Sequence, residues 1–323
     1  MSLDLVTVGR ISVDLYAHEA FASFRDPQTF SKSVGGSPTN VAVAAARLGR
    51  SAAVVTKVGD DDFGRFALGQ LTGWGVTTDF VGTDRTVPTP LAFAALDPPE
   101  DPQVVFYRGT DPPDTTLVES DLPGDVVRGC RAFWMSTGAL AHGTTARASF
   151  AWLEARSRAS HTILDLDYRP RLWPDVATAR AAAGRAIGLS TIVVGNRAEC
   201  EMALGTSDPS EAAAALIDRG VELAVIKQGG GGVLLATGHQ RFLIEPLPVA
   251  VVCGLGAGDA FGGALVHGLL SGWDLPRIGR FANAAGAFVV GQLTCADAMP
   301  TASDLDELLA LTARATPQEG SGT

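Results

Sequence analysis

The most informative stretch of this 323-residue chain is Val251-Val-Cys-Gly-Leu-Gly-Ala-Gly-Asp-Ala-Phe-Gly-Gly-Ala-Leu265. Apolar residues recur at helical spacing beyond it and stop at Gly272, so a helix is predicted to begin near Gly256–Asp259. The first N–H groups of a helix have no partner within the helix and attract anions, and glycines let an anion approach the backbone closely. Asp259 is therefore either a base beside a bound anion or a simple helix cap.

A second helix start lies near the N-terminus, in Val34-Gly-Gly-Ser-Pro-Thr-Asn-Val-Ala-Val-Ala-Ala-Ala-Arg-Leu-Gly49. Ser37 is predicted to be the N-cap and Pro38 the first helical residue, because both residue types favour those positions. Gly49 suits the C′ position that ends a helix.

Residues at this helix start also have the chemistry of a ligand site. Gly35 and Gly36 allow a ligand to approach the backbone, and Asn40 can bond to sugar hydroxyl groups. The alternative is a loop that needs positive φ, followed by a solvated asparagine.

Short β-branched runs alternate with amphipathic stretches along the chain, a pattern that indicates an α/β fold with a mostly parallel sheet. The runs are Leu5–Gly9, Ala52–Gly59, Ala132–Gly138, Thr162–Asp167, Thr191–Asn196 and Leu223–Gly229. No helix is predicted between Pro90–Leu96 and Gln103–Arg108, which suggests an antiparallel hairpin. With strand-like runs around residues 11–36, this hairpin is predicted to form a small β lid from about 11–36 and 88–110. Residues 1–314 are expected to be one domain and 315–323 a disordered tail.

Composition excludes several classes of protein. The net charge of −10 and only three lysines (Lys32, Lys57 and Lys227) argue against a nucleic-acid partner. The four cysteines lie far apart, without zinc-ligand spacing, and are expected to be reduced and mostly buried. No signal peptide or membrane-length apolar segment is found, so a cytoplasmic protein with no membrane partner is expected.

Two common nucleotide-binding motifs are missing. No GxxxxGK[ST] phosphate loop occurs, and Val8-Gly-Arg-Ile-Ser-Val-Asp14 lacks the glycines of a dinucleotide fingerprint. The helix start at Gly256–Asp259 must then bind the phosphate groups, and a dinucleotide-dependent oxidoreductase is disfavoured.

Together, the two glycine-rich helix starts resemble, in type and order, the signatures of the ribokinase-like (PfkB) family of carbohydrate kinases. The resemblance implies a three-layer α/β/α sandwich with a small β-sheet lid, and ATP-dependent transfer of a phosphoryl group to a sugar hydroxyl with Mg²⁺. It makes Asp259 the catalytic base and Gly256, Ala257 and Gly258 the anion hole.

The family resemblance also implies roles for residues elsewhere in the chain. The substrate would be bound by Asp14, Gly35, Gly36 and Asn40, and the nucleotide by Asn196, Lys227, Gly229, Gly232 and Asn283. In Asn196-Arg-Ala-Glu199, Glu199 would organise Mg²⁺, through water; the alternative is a helix cap with a first-turn acid. Glycines 229–232 can also be only a hairpin turn between Ala224–Lys227 and Val233–Thr237.

Within the family, several stretches resemble the 5-dehydro-2-deoxygluconokinases of inositol breakdown. They are Gly9-Arg-Ile-Ser-Val-Asp-Leu15, Gly35-Gly-Ser-Pro-Thr-Asn40, Asp165-Leu-Asp-Tyr-Arg-Pro170, Val225-Ile-Lys-Gln-Gly229 and Cys295-Ala-Asp-Ala-Met-Pro-Thr301. This similarity implies phosphorylation of the 6-hydroxyl of 5-dehydro-2-deoxy-D-gluconate. The alternatives are 2-keto-3-deoxygluconate kinase, fructokinase or ribokinase activity, and a non-catalytic regulator that binds sugar or nucleotide.

A sugar acid needs cations, and Arg108 and Arg169 are candidates to bind its carboxylate. The alternatives are a solvated edge-strand residue for Arg108, and for Arg169 an ion pair with Asp165 or Asp167. Cys253 stands where many relatives carry an aspartate of a monovalent-cation site. Because hard cations prefer oxygen ligands, a K⁺ requirement is doubtful. A homodimer that pairs through the lid is expected from the family.

Overall fold

The computed structural model describes residues 2–315 and contains two sheets. The strands are β1 (Leu5–Val8), β2 (Ser12–Ala20), β3 (Phe30–Gly35), β4 (Ala52–Gly59), β5 (Val81–Asp84), β6 (Leu91–Leu96), β7 (Gln103–Tyr107), β8 (Ala132–Ser136), β9 (Thr162–Asp165), β10 (Ile192–Asn196), β11 (Leu223–Lys227), β12 (Val233–Ala236) and β13 (Arg241–Ile244). The helices are α1 (Ser37–Arg47), α2 (Asp62–Gly73), α3 (Gly124–Gly129), α4 (Gly143–Arg156), α5 (Val176–Gly188), α6 (Arg197–Leu204), α7 (Pro209–Asp218), α8 (Ala257–Leu270), α9 (Leu275–Val290) and α10 (Ala302–Ala315).

The larger sheet has nine strands in the order β13-β12-β11-β10-β9-β8-β1-β4-β5. All its pairings are parallel except β11–β12 and β12–β13, which form antiparallel hairpins. The α/β fold with a mostly parallel sheet is thus confirmed, and glycines 229–232 do lie in the turn between two antiparallel strands. The short edge strands β5 and β13 were not predicted, because each has only four residues and little apolar alternation.

Helices cover both faces of this sheet, which makes three layers. Side chains alternate between the faces along each strand: Leu5 packs with α1, α8 and α9, whereas Val6 and Val8 pack with the helices of the opposite face. Strands buried on both faces explain the continuous apolar runs in the sequence. Because the strands are parallel, the loops at their carboxyl ends share one edge of the sheet, where ligands bind in such folds.

The smaller sheet has four strands in the order β3-β2-β6-β7. The predicted hairpin is confirmed, because β6 and β7 pair antiparallel. The strand β2 pairs antiparallel with β3 and parallel with β6. This sheet therefore joins residues from before α1 to residues that follow α2.

One local prediction about α1 is wrong. Ser37 is not the N-cap: the helix starts at Ser37 itself, and Gly36 takes the cap position at φ 100° without any side-chain cap bond. Glycine is needed at position 36, because a Cβ there would lie 2.3 Å from the backbone oxygen of Arg10. Gly49 follows the helix at φ 83°, as predicted.

Other expectations concern the termini and the cysteines. Ala315 closes α10, and the remainder of the predicted tail, residues 316–323, lies outside the described residues. All four cysteines are free and buried, as expected. Within residues 2–315, every helix is too short or too polar to cross a membrane.

Candidate active site

Asp259 lies in the first turn of α8, which begins at Ala257 after Gly256. Its carboxylate accepts hydrogen bonds from Ser37 Oγ at 2.7 Å and from Asn40 Nδ2 at 2.8 Å. Burial raises the pKa of Asp259, although these two hydrogen bonds oppose the shift. The two glycine-rich helix starts therefore meet at one carboxylate that is a stronger base than in water.

The close packing of α1 against α8 brings these residues together. A Cβ on Gly263 would lie 2.4 Å from the Cβ of Ala44, and one on Gly262 would lie 2.7 Å from the ring of Trp134. Gly263 is thus needed for α8 to approach α1, and Gly262 is needed for α8 to pack on Trp134 of β8.

The start of α8 has the geometry of an anion hole. Gly256 has a φ of 83°, and the N–H groups of Ala257 and Gly258 begin the helix without an acceptor within it. Lys227 lies at the end of β11. Its Nζ is so close to Gly258 that a Cβ added to that glycine would lie only 3.3 Å from it. An anion at this turn would meet backbone N–H groups and an ammonium group together.

Lys227 is held by a buried carboxylate, Asp165 at the end of β9, at a distance of 3.9 Å. Burial raises the pKa of Asp165 to about 7, against the effect of Lys227. Burial alone would lower the pKa of Lys227, but Asp165, Glu199 and Asp259 outweigh it and keep the pKa above its ordinary value. The ammonium group is therefore charged at neutral pH.

Asn196 and Glu199 form a reciprocal helix cap at the start of α6. Asn196 Oδ1 accepts from the N–H of Glu199 at 2.9 Å, and Glu199 Oε2 accepts from the N–H of Asn196 at 2.7 Å. The capping alternative is thus what the structure contains. Glu199 Oε1 takes no part in this cap, so the carboxylate keeps an oxygen for another ligand.

A cavity of about 690 Å³ opens beside the anion hole, a size typical of a small-molecule site. It brings together all five residues expected to bind nucleotide: Asn196, Lys227, Gly229, Gly232 and Asn283. Asn283 also has a structural bond, because its Nδ2 donates to the carbonyl of Glu245 at 2.9 Å. Residues 246–249 form an apolar wall that sequence reasoning missed, since Pro-Leu-Pro-Val has no helical or strand periodicity.

Asp14 enters the site from β2 of the smaller sheet. It accepts hydrogen bonds from Ser12 Oγ at 2.6 Å and from the hydroxyl of Tyr16 at 3.2 Å. Burial raises its pKa to about 6, and the charge of Asp259 adds to the shift. A Cβ on Gly35 would lie 2.0 Å from Asp14 Oδ2, so only glycine fits there.

Both predicted arginines form ion pairs with buried aspartates. Arg108 donates from Nη2 to Asp114 Oδ1 at 2.8 Å, and Arg169 donates from Nε to Asp167 Oδ1 at 3.0 Å. The side chain of Arg169 is 53% exposed, whereas that of Arg108 is only 13% exposed. The alternative for Arg169, an ion pair with Asp167, is therefore observed, while the solvated edge position considered for Arg108 is not.

A third arginine, Arg10, was not singled out from the sequence. It is buried at the end of β1 and donates from Nη2 to Asp167. Burial alone would raise the pKa of Asp167, but Arg10 and Arg169 outweigh it and hold the pKa below its usual range. A buried arginine two residues after a core strand is rare, and that rarity was the available signal.

Comparisons with known proteins identify the family of the chain. The model of the family described as pfkB family carbohydrate kinase matches residues 2–302. The chain is 32% identical over 314 residues to a 5-dehydro-2-deoxygluconokinase of Geobacillus thermodenitrificans, covering 95% of this chain and 93% of that protein. A 5-dehydro-2-deoxygluconokinase of Bacillus anthracis is 32% identical over 317 residues, covering 95% and 94%.

The chain belongs to the pfkB family of carbohydrate kinases. As a member of this family it is an ATP-dependent sugar kinase. Among solved structures, a Vibrio cholerae fructokinase in fructose-, ADP- and potassium-bound form has a TM-score of 0.84 at 28% identity, covering 95% of this chain and 99% of that one. The fold also matches a putative Ribokinase II of E. coli in complex with ATP and Mg²⁺, with a TM-score of 0.87 at 23% identity over 97% and 100% of the two chains.

The residues of the site fit Mg²⁺ bound mainly by phosphate. Among residues 2–315, no three His, Cys, Asp or Glu side chains are grouped as a metal site. Mg²⁺ retains several waters and is commonly bound by one or two carboxylates together with phosphates. Glu199 matches this requirement, because its Oε1 takes no part in the cap and the residue is bonded to Asn196 of the nucleotide cavity.

Proposed function

We propose that the protein transfers the γ-phosphoryl group of ATP to the 6-hydroxyl of 5-dehydro-2-deoxy-D-gluconate. The observation that carries the proposal is the position of Asp259, bonded to Ser37 and Asn40 at the start of α8. Relatives at 32% identity that are named 5-dehydro-2-deoxygluconokinase support the choice of sugar.

Asp259 acts as the general base. The substrate hydroxyl donates its proton to the carboxylate of Asp259, its oxygen bonds to the γ-phosphorus, and the bond from that phosphorus to the β,γ-bridging oxygen breaks to leave ADP. The N–H groups of Gly256, Ala257 and Gly258, together with the Lys227 ammonium, stabilise the charge on the transferring group.

The sugar lies between Asp14, the Gly35-Gly36 backbone and Asn40. Asn40 gives its Nδ2 to Asp259, while its buried Oδ1 has no hydrogen-bond partner among the described residues. This oxygen can accept a hydrogen bond from a sugar hydroxyl. Asp14 accepts another, since a carboxylate oxygen can take more than one donor.

Arg108 and Arg169 bind the carboxylate that distinguishes a sugar acid from a neutral sugar. A guanidinium group has five N–H donors, and the ion pairs with Asp114 and Asp167 each use only one of them. Donors therefore remain on both arginines for a substrate carboxylate, which a guanidinium can bind through two parallel bonds.

The cavity lined by Asn196, Lys227, Gly229, Gly232 and Asn283 would hold ATP. Glu199, which is bonded to Asn196, would help to hold Mg²⁺ together with the phosphates. Mg²⁺ would supply charge neutralisation between the β- and γ-phosphates. No K⁺ requirement is proposed, because Cys253 is buried against Tyr16 and Cys295 and offers sulfur rather than oxygen.

The smaller sheet is proposed to act as the lid and to pair with a second subunit. The proposal is supported by Asp14, which belongs to this sheet and lies close enough to Asp259 for the two charges to interact. Phe30, Phe93 and Tyr107 form a row of edge-to-face aromatic contacts on it, and Tyr107 is 65% exposed. A dimer partner would cover such a row, since aromatic residues are enriched in protein interfaces.

A substrate panel tests the proposal. Purified protein is assayed with ATP and Mg²⁺ on 5-dehydro-2-deoxygluconate, 2-keto-3-deoxygluconate, fructose and ribose. The highest kcat/KM is expected for 5-dehydro-2-deoxygluconate. A preference for a neutral sugar would overturn both the substrate and the roles of Arg108 and Arg169, and no turnover of any sugar would favour a non-catalytic regulator.

A further inference from the structure

A small second cavity of about 10 Å³ lies at the carboxyl ends of β1 and β8. It is separate from the nucleotide cavity, and its size suits one water-sized group. The lining residues used below are Gly9, Arg10, Arg108, Asp114, Gly138 and His142, and we call the space the Arg10–Asp114 cavity.

Two charged side chains of this cavity have buried atoms without partners. The side chains of Arg10 and Asp114 are only 10% and 1% exposed. Arg10 Nε and Asp114 Oδ2 have no hydrogen-bond partner among residues 2–315, although Arg10 Nη2 is bonded to Asp167 and Asp114 Oδ1 to Arg108. His142 Nε2 is likewise buried and unpartnered. Buried polar groups in proteins normally have partners, so such a cluster indicates that a polar group fills the cavity.

The unpartnered atoms define which group fits. Arg10 Nε is a donor and Asp114 Oδ2 an acceptor, and the ring nitrogen of His142 can take either role according to its tautomer. A hydroxyl group both accepts and donates, so it can bond to Arg10 and to Asp114 together. A carboxylate oxygen can only accept, and it would be repelled by Asp114.

The Arg10–Asp114 cavity is joined to the active site through the backbone of Arg10. The carbonyl of Arg10 accepts a hydrogen bond from Thr39 Oγ1 at 2.9 Å. The residue after Thr39 is Asn40, which is bonded to Asp259. The positive charge of Arg10 also acts on Asp14, where it partly offsets the rise in pKa that burial causes. Arg10, which lines the cavity, is thus linked to Asn40 and Asp259 through α1 and to Asp14 through its charge.

We propose that the Arg10–Asp114 cavity is a specificity site that receives one hydroxyl group of the sugar substrate, distinct from the hydroxyl that is phosphorylated. This inference rests on the proposed sugar kinase site at Asp259 but does not depend on which sugar is the substrate. Gly138 keeps the site open, because a Cβ there would lie 3.2 Å from Arg10 Nε and 3.4 Å from Leu172.

The test combines deoxy analogues with a filled cavity. For the best substrate of the panel, kcat/KM is measured for the parent sugar and for each monodeoxy analogue. One analogue, lacking a hydroxyl that is not phosphorylated, is expected to lose about 10²-fold or more, because a site built for a hydroxyl is left unpaired without it. Gly138→Ala should then lower kcat/KM for the parent sugar at least about tenfold, but it should change kcat/KM for that analogue by less than about threefold.

Two further variants make the result specific. Gly69→Ala is the matched control, because Gly69 is exposed on α2 and a Cβ there meets nothing within 4 Å. Gly69→Ala should leave kcat/KM unchanged for both the parent sugar and the analogue. Arg10→Lys keeps a positive charge beside Asp167 but lacks Nε, and it should reproduce the Gly138→Ala pattern even if Gly138→Ala fails to fold.

Three results would each overturn the hydroxyl site. The first is an equal kcat/KM for the parent sugar and every analogue, and the second is a loss in Gly138→Ala and Arg10→Lys that is the same for parent and analogue. The third is a sugar-bound crystal structure in which only a water occupies the cavity. A preference for a neutral sugar would instead refute the proposed sugar-acid substrate and leave this test intact. Absence of all kinase activity would refute the site at Asp259 itself.

Discussion

Asn40 Nδ2 lies 2.8 Å from Asp259 Oδ2, although the two residues are 219 positions apart in the chain. Ser37, one helical turn earlier, bonds to the other oxygen of the same carboxylate at 2.7 Å. These contacts orient Asp259 without neutralising it, because an amide and a hydroxyl donate hydrogen bonds but carry no charge. The base is therefore fixed in place and still able to accept a proton.

Replacing Asp259 with asparagine should abolish most of the chemistry while preserving the fold. The variant keeps the side-chain size but cannot accept the proton, so kcat should fall about 10²–10⁴-fold. ATP affinity, measured by calorimetry, should change little. Ser37→Ala is the comparison, with a smaller expected loss of about tenfold, because it removes one hydrogen bond to the carboxylate but leaves the base and the bond from Asn40. Near-normal turnover by Asp259→Asn would show that another group is the base.

Asp14→Asn should stabilise the protein and weaken catalysis. The pKa of Asp14 is raised by burial from 3.8 to about 6, so the ionised carboxylate is disfavoured in the folded state. This cost grows as pH rises from 3.8 to about 6 and is complete above that pH. Asparagine removes it, and at pH 8 the free energy of unfolding should rise by roughly 1–2 kcal/mol, less than the full shift implies because the carboxyl is partly accessible to solvent.

Urea denaturation of wild type and Asp14→Asn at pH 3.5 and pH 8 measures this effect. The gain in stability should be present at pH 8 and absent at pH 3.5. In wild type, kcat/KM for the sugar should fall as pH drops below about 6, when Asp14 becomes protonated. A variant that is less stable at pH 8 would contradict the prediction.

Lys227→Met should slow phosphoryl transfer and destabilise the fold for different reasons. Loss of the ammonium beside Gly258 removes a charge that stabilises the transferring group, with an expected loss of about 10²–10³ in kcat. The same change leaves Asp165 buried without its partner, which is strongly destabilising.

A double variant separates the two effects of Lys227. Adding Asp165→Asn to Lys227→Met removes the unpaired carboxylate, so the melting temperature should recover while kcat stays low. If kcat recovered together with stability, Lys227 would have only a structural role. Single-turnover measurement of the chemical step, with nucleotide saturating, makes the comparison.

Potassium should have little effect on activity. The thiol of Cys253 is buried with Tyr16, Ala94, Leu96 and Cys295, where a hard cation finds few oxygen ligands. Replacing K⁺ with tetramethylammonium at constant ionic strength should change kcat by less than about twofold. A larger activation by K⁺ would show that backbone oxygens suffice to bind the cation.

Tyr107→Lys should weaken a dimer formed through the smaller sheet. Tyr107 is 65% exposed and packs edge-to-face on Phe93, so a charge there would be buried if a partner covers the row. Light scattering after size-exclusion chromatography should show a dimer for wild type and a shift toward monomer for the variant. Phe63→Lys, on exposed α2 of the main body, is the control that should leave the mass unchanged. A wild-type monomer would contradict the proposed pairing.

Much of the fold could be predicted from residues close together in the chain. The strands β4, β10 and β11 begin and end within about two residues of their apolar runs, and α1 and α8 start where their glycine-rich turns indicate. Strand β5 was missed, because a four-residue edge strand such as Val81–Asp84 has no periodicity to recognise. Its pairing with β4 creates the strand.

Part of the site was less accessible to such reasoning. Ser37 has the local chemistry of an N-cap, yet its hydroxyl bonds to Asp259, because the packing of α1 against α8 offers a charged acceptor. Arg10 was overlooked, since its ion pair with Asp167 joins residues 157 positions apart. No local pattern records such a partner.

The sequence by itself determined the glycine-rich helix starts, the α/β alternation and the candidate base Asp259, because capping, turn chemistry and burial periodicity act over a few residues. Only the tertiary structure decided what that base touches, which carboxylate holds Lys227 and where Arg10 has an unpartnered donor. Those contacts join residues separated by 62 to 222 positions. They arise because parallel strands bring distant loops to one edge of the sheet.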